Sequence, residues 1–455
     1  MTQLPTAAVI GAGSSGIAAL KKLADRGIDV TCFEASDRIG GNWVFENTNG
    51  MSAAYRDLHI NTSRERMEYA DFPMPADYPD YPHHTLIAAY FDTYVDHFGL
   101  REKIRFQTSV RHAERAADSS WTLTLADGSV EHFDALVVAN GHHWNPRWPE
   151  PAFPGSDSFE GVQMHAHSYV DNTDLAGKDV VVLGIGNSAT DIAVESSYVA
   201  ANTYLAARRG AWIVPKYMFG RPTDQLPNDP RIPFAIRRRV IHQLIKAYTG
   251  PPEKYGLPKP DHAFGQAHPT VSGRILDRIQ HGRVTPKPNI DRLEGNDVVF
   301  VDGTRVHADV VVYCTGYKIT FPFFDEDLIS APENHIELFR RVFHPDIPNV
   351  AFVGLLQPLG AVMPLAEAQG GWIADYLTGG YALPSRDAMI RDIAEDQAAM
   401  RKRYVSSKRH TIQVDFDDYL AELAVELAAG AERAQMHGYA LPVTHHAPAE
   451  PAGAR

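Results

Sequence analysis

Hydrophobic and polar positions along the chain fall into a recurring order. Short, continuous apolar runs, such as Ala7–Ile10 and Val181–Leu183, are each followed at once by a glycine-rich turn. In IAALKKLADRG, after the first turn, apolar residues return at helical spacing, and VVLGIGNSATDIA opens the same way around the second. A short apolar run bounded by glycine reads as a buried strand, and the helical period reads as an amphipathic helix. The pattern therefore predicts strand, tight turn and helix twice over. Two later stretches echo one another. DGSVEHFDALVVANG ends at Gly141 and DGTRVHADVVVYCTG ends at Gly316, with the same internal spacing and at similar distances from the two glycine turns. Each reads as a DG hairpin, a buried strand and a small-residue turn. A repeat of this kind decides architecture. The expected fold class is α/β, with two Rossmann-like dinucleotide-binding domains.

The glycine spacing gives each turn its chemistry. Gly11, Gly13 and Gly16 bracket Ser14 and Ser15 in the pattern GxGxxG. The first glycine permits the turn, the second lets a pyrophosphate approach the backbone, and the third lets helix and strand pack closely. The helix start supplies amide donors for the phosphates. The next strand, DVTCFEAS, carries Glu34 about twenty residues on, where a ribose diol needs an acceptor. GGNW follows, with Gly41, Asn42 and Trp43. Alone it could be any loop, but after a ribose-binding glutamate it looks like the segment that wraps a flavin's phosphate and ribityl chain. FAD is thus a better assignment here than NAD.

In the second turn, Gly184, Gly186 and Ala189 hold the fingerprint positions. The strand NTYLAARRG ends in Arg208 and Arg209, where the first site has its glutamate. A carboxylate would repel a 2′-phosphate, whereas a guanidinium clamps one. The expected ligand is NADPH rather than NADH. The competing reading has one or both arginines pointing to solvent.

Composition narrows the setting. The 455 residues exceed one ordinary core, so two domains are expected, with room for an insertion. Apolar residues make up 44% and charged residues 22%, a soluble globular balance. The net charge of −13 disfavours nucleic acid as a partner and a basic membrane-docking surface. Cys32 and Cys314 form no CxxC, which argues against a disulfide framework or a cysteine metal site and for a reducing, cytoplasmic setting. The histidines, including His142-His143 and His445-His446, show no metal-ligand spacing. MTQLPT leaves no room for a signal peptide, and no window resembles a membrane span.

A chain holding a flavin and its hydride donor is a redox enzyme. A pyridine nucleotide–disulfide reductase would need a dithiol beside the flavin, which this chain lacks. Molecular oxygen is then the expected electron acceptor. FEGVQMHAHSY supplies Phe159, Gly161, His165 and Tyr169 in the pattern FxGxxxHxxxY. With GAGSSG, GGNW, NTSRERMEYADFPMP, NGHHWNPRWP, GIGNSATDIA, CTGY and GLLQPLGAVMPLAEAQG in order, the chain resembles the flavin-containing monooxygenases over almost its whole length.

The resemblance implies a cycle. NADPH reduces FAD, NADP⁺ stays bound, and oxygen gives a C4a-(hydro)peroxyflavin that oxygenates a soft amine or sulfide. Asn61, in HINTS, aligns with the family's asparagine near the flavin C4a. Its amide offers both donor and acceptor, although a turn-forming role before Thr62 and Ser63 is the alternative. The resemblance also implies that Asn42, Trp43 and Thr62 contact FAD. Asn187, Ser188, Ala189, Thr190 and Asp191 are placed at or near the NADP phosphates. Gln357 should return to the flavin from late in the chain. His165 is read as a packing residue between domains. Tyr169-Val170 stands where Baeyer–Villiger relatives carry Trp-Pro, which favours nitrogen or sulfur oxidation over ketone insertion without excluding the latter. Readings of another class are an electron-transfer reductase and a redox sensor without turnover. Homodimers are common in such enzymes.

The expected domain plan follows. Residues 1–168 and 319–440 form a discontinuous FAD domain, 169–318 an NADPH domain with a helical insertion at about 212–286, and 441–455 a loose tail. Within the insertion, IPFAIRRRVIHQLIKAYTG reads as an amphipathic helix with a basic cluster, lying on the NADPH domain or touching a membrane surface. SRDAMIRDIAEDQAAMRKRY and DDYLAELAVELAAGA read as terminal helices on the FAD domain.

Overall fold

The computed structural model describes residues 4–226, 231–404 and 411–437. The chain opens with β1 (Thr6–Ile10), α1 (Ser14–Asp25) and β2 (Asp29–Phe33). It continues through α2 (His84–His97), β3 (Ile104–Arg105) and β4 (Ala135–Val138). Next come β5 (Val162–His165), β6 (Asp179–Leu183), α3 (Asn187–Val199) and β7 (Asn202–Ala206). After α4 (Phe234–Thr249) follow β8 (Thr285–Lys287) and β9 (Val310–Tyr313). The last part holds β10 (Val350–Phe352), α5 (Met363–Leu377), α6 (Arg386–Arg403) and α7 (Phe416–His437).

Two five-stranded sheets result, ordered β10-β4-β1-β2-β3 and β5-β9-β6-β7-β8. Every pairing within them is parallel. The strand before each glycine turn, β1 or β6, is central in its sheet. Its neighbour β4 or β9 is buried along its length, as continuous apolar runs covered on both faces must be. The repeat extends to side chains. Asp134, just before β4, accepts a hydrogen bond from the Thr6 amide at 2.8 Å, and Asp309, just before β9, accepts one from the Asp179 amide at 2.8 Å. Each predicted DG hairpin belongs to a three-stranded antiparallel unit leading into that strand.

The two sheets differ in their fifth strand. β10 arrives from the far end of the chain and makes the first domain discontinuous. β5 instead precedes the second sheet and pairs with β9, placing His165 opposite Tyr313. The boundary expected at residue 168 therefore falls earlier. Phe159 already packs with Val181, Leu183 and Val311 of the second core. A Cβ at Gly161 would lie 2.8 Å from the backbone oxygens of Ala308 and Asp309. The motif around His165 is thus an edge strand as well as a connection. Its residues Val-Gln-Met-His lack the continuous apolar run that marks the inner strands.

The return segment closes the first domain. α5 crosses α1 so closely that a Cβ at Gly370 would lie 2.9 Å from the Ala19 Cα. Met363, Leu365, Trp372 and Ile373 of α5 share one core with Ile17, Leu20 and Leu23 of α1. The insertion proves mixed rather than purely helical, because short strand pairs, Ile213–Val214 with Thr270–Val271 and Tyr217–Met218 with Arg221–Pro222, flank its helices. The helix expected from Ile232 is α4. It reaches beyond the second domain, since Arg237 pairs with Asp418 of α7 at 2.5 Å. No helix among the described residues is long and apolar enough to cross a membrane. The expected tail at 441–455 lies outside the described residues.

Candidate functional site

Both glycine turns open on one cavity of about 1810 Å³. The first turn is built by exclusion of side chains. Gly11 has φ +100°, and a Cβ there would lie 2.7 Å from the Ala139 carbonyl oxygen. At Gly16 a Cβ would come within 1.8 Å of the Gly11 oxygen, so Gly16 packs the helix and does not line the cavity. Gly13 faces Gly41 across the cleft, where a Cβ on Gly41 would lie 3.2 Å from the Gly13 Cα. Gly13 caps α1 without a side-chain hydrogen bond, so the first amides of the helix remain available to an anion. Ser14 and Ser15 line the cavity at this helix start.

Glu34 is buried on the cavity wall. Its Oε2 accepts from the Ala12 amide and its Oε1 from the Ser36 amide, each at 2.7 Å. Burial raises its pKa, and these amides act in the opposite direction. Each oxygen keeps a lone pair, so the carboxylate is oriented yet still able to accept from a diol. Asn42, Trp43 and Thr62 line the same space. The Asn42 Oδ1 accepts from the Ala53 amide at 2.7 Å, which holds the GGNW loop in place. This cradle fits a flavin dinucleotide.

The second turn repeats the design. Gly184 has φ +141°, and a Cβ there would lie 2.8 Å from the Cys314 oxygen and 3.2 Å from the Ala189 Cβ. Gly186 caps α3 with no side-chain bond. Asn187 and Ser188 line the cavity, and the Asn187 Oδ1 accepts from the Val271 amide at 2.8 Å. Arg208 and Arg209 are exposed at the cavity edge, where Arg209 approaches Asp261 at 3.5 Å. These groups fit a nucleotide bearing an extra phosphate.

Two predicted residues turn elsewhere. Thr190 is buried and donates to the Asn187 carbonyl at 3.0 Å. Asp191 accepts from the Tyr55 hydroxyl at 2.5 Å. Neither lines the cavity.

Asn61 and Gln357, nearly three hundred residues apart in the chain, line the cavity together. Asn61 is half-buried, and its amide forms no hydrogen bond with the described residues. Around it the structure adds groups that sequence motifs do not mark. Lys216 donates to the Ile60 carbonyl at 3.0 Å, and burial lowers its pKa. The Asp224 Oδ2 accepts from the Ser63 amide at 2.6 Å, and the Tyr81 hydroxyl donates to the Lys216 carbonyl at 2.5 Å. The insertion thus covers the Asn61 loop. Burial lowers both His142 and His165 to about 4, so each cavity-facing imidazole is neutral at pH 7. The His165 Nδ1 accepts from the His167 amide at 3.1 Å, which fixes the turn after β5. Cys32 and Cys314 are both free thiols, and burial raises the pKa of each.

Comparison with known proteins agrees with this geometry. Residues 5–437 match the pattern described as flavin-binding monooxygenase-like. Flavin-containing monooxygenase 5 of Rattus norvegicus is 37% identical over 438 residues, covering 92% of this chain and 81% of the relative. Dimethylaniline monooxygenase [N-oxide-forming] 2 of Oryctolagus cuniculus is 34% identical over 442 residues, covering 93% and 82%. Among solved structures, S-allyl-L-cysteine S-oxygenase from Allium sativum superposes with a TM-score of 0.71 at 26% identity, covering 93% of this chain and 88% of that one.

Proposed function

From a chain that belongs to the flavin-binding monooxygenase-like family, and is therefore an FAD- and NADPH-dependent monooxygenase, we propose an enzyme that oxygenates soft nitrogen and sulfur nucleophiles. One observation carries the reading: two dinucleotide cradles share a single cavity that has no dithiol to take electrons away. FAD, when reduced by NADPH, supplies the oxygen chemistry itself.

The chain's residues position the reactants. The α1 amides and Glu34 hold the pyrophosphate and ribose of FAD. The α3 amides hold the pyrophosphate of NADPH, and Arg208 and Arg209 its 2′-phosphate. Asn61 presents an amide that donates and accepts hydrogen bonds without removing a proton. His142 and His165 are neutral at pH 7 and so offer no imidazolium acid there. The insertion, anchored by Asp224 and Lys216, shields the Asn61 loop from water. The family relatives named for amine and sulfur oxygenation support the substrate class. So does Tyr169-Val170, which stands where Baeyer–Villiger relatives carry Trp-Pro. The free thiols and acidic charge are consistent with a cytoplasmic enzyme working on small molecules.

The test is product analysis with NADPH, oxygen and three probes: a thioether, a tertiary amine and a cyclic ketone. Sulfoxide and N-oxide formed in step with NADPH consumption is the expected result. Lactone as the main product would move the reading to ketone insertion. NADPH consumption with a dye and no oxygenated product would move it to a reductase.

A further inference from the structure

The segment that carries Asn61 belongs by sequence to the FAD domain, yet it is sewn to the NADPH domain. The Arg56 amide donates to the Val170 carbonyl at 2.8 Å, and its guanidinium meets Asp171 at 2.8 Å. The Tyr55 hydroxyl donates to Asp191 of α3. Lys216 and Asp224 hold Ile60 and Ser63. The opposite edge rests on the start of α2, through Ile60 to Pro82 at 3.1 Å and His84 to Leu58 at 2.9 Å. Residues 55–63 are therefore a strap between the two domains.

The contact with α3 stands out by its place. Asp191 lies one turn beyond Asn187 and Ser188, at the helix end that meets the nucleotide. Glu195 lies one further turn on and receives Tyr169, whose ring lies 6.0 Å from that of Tyr55. Two tyrosines thus clasp two carboxylates on successive turns of one helix. Asp191, Glu195 and Tyr169 do not line the cavity, whereas Tyr55 does. What they join is the nucleotide's helix and the strap that ends in Asn61.

Given NADPH at α3, we propose that Tyr55 and Asp191 are positioning residues that couple nucleotide occupancy to the placement of the Asn61 amide. Nucleotide held by the α3 amides steadies that helix. The Tyr55–Asp191 bond passes the restraint to the strap, and Asn61 becomes fixed beside the flavin only while nucleotide remains. Such coupling needs no large displacement, because ordering one segment lowers the cost of ordering the next. When the link is cut, NADPH is still oxidised but oxygen leaves as hydrogen peroxide. The balance is NADPH, a proton and O₂ giving NADP⁺ and H₂O₂, with no oxygen atom passed to substrate.

The test is amide hydrogen exchange on FAD-loaded protein with and without NADP⁺, for the wild type and Tyr55→Phe. In the wild type, NADP⁺ should slow exchange at the start of α3 and in residues 55–63. In Tyr55→Phe it should slow α3 alike but lose most of the protection in 55–63. Product formed per NADPH should fall several-fold, with the KM for NADPH changed less than about twofold. Protection at α3 without protection at 55–63 in the wild type overturns the proposal. So does a Tyr55→Phe protein with strap protection and coupling intact. No protection at α3 overturns it at its premise, by removing nucleotide from that turn. The wild-type comparison stands even if the variant does not fold.

Discussion

Arg208 and Arg209 show how two adjacent side chains of one type acquire different work. Arg209 shares its charge with Asp261, whereas Arg208 forms no such carboxylate contact among the described residues. Arg208 is therefore the better clamp for a 2′-phosphate. Arg208→Ala should raise the KM for NADPH about tenfold or more, with little change for NADH, as expected for one lost charge-assisted contact. Arg209→Ala should cost less, and steady-state kinetics with both nucleotides would show the difference. Asn61→Ala should retain FAD and lose product formation about a hundredfold, the usual scale for an amide that stabilises developing charge. Product formation at the wild-type rate in that variant would return Asn61 to a turn residue. Glu34 and the two arginines could be singled out in the sequence because each sits some twenty residues beyond a glycine turn, and Asn61 because its stretch resembles the family's. Lys216, Asp224 and Tyr55 were not. They reach the site through contacts spanning many residues, and their own neighbours carry no periodic or motif signal.

Among the elements, α3 carries both the nucleotide turn and a buried acidic pair. Burial raises Asp191 to about 6 and Glu195 to about 7, from ordinary values of 3.8 and 4.5. The sign follows directly. A carboxyl with a raised folded pKa holds its proton more tightly when folded, so its contribution is complete below the unfolded value and is lost as pH rises through the folded one. Glu195 should thus lower stability progressively between about pH 4.5 and 7. Glu195→Gln keeps an acceptor for Tyr169 and removes the titration. Thermal unfolding across that range should show a shallower decline in the variant than in the wild type. The strand–turn–helix pairs were legible because β1, β6, α1 and α3 each combine an apolar run with glycine punctuation. α5 was not singled out, since it is buried nearly all round and its apolar positions show no single face. β5 escaped for the opposite reason, being an edge strand of mixed residues.

At the scale of the whole molecule, the repeat gave the architecture, but its asymmetry governs assembly. The second sheet draws all its strands from residues 162–313, whereas the first domain takes β10 and α5 from residue 350 onward. A chain ended before Val350 should be poorly soluble and carry no flavin, because β4 loses a neighbour and α1 loses the helix at Gly370. Expression yield and flavin absorbance would measure both effects. Full flavin content in such a protein would show that the return segment is dispensable. The domain boundary at 168 was misplaced because a strand can join a sheet before the turn that names its domain.

The late return of β10 and α5 also sets an order of events on the ribosome. The nicotinamide half has its complete sheet once residue 313 has emerged, while the flavin half still awaits a strand and a covering helix. FAD should therefore be captured firmly only once residue 377 has emerged, on a partner half already in place. A chain stalled between these two points would hold its second sheet complete and its first open. Such a chain exposes an unpaired strand edge and is the form most open to proteases, so the speed with which the return segment emerges would bear on how much enzyme survives.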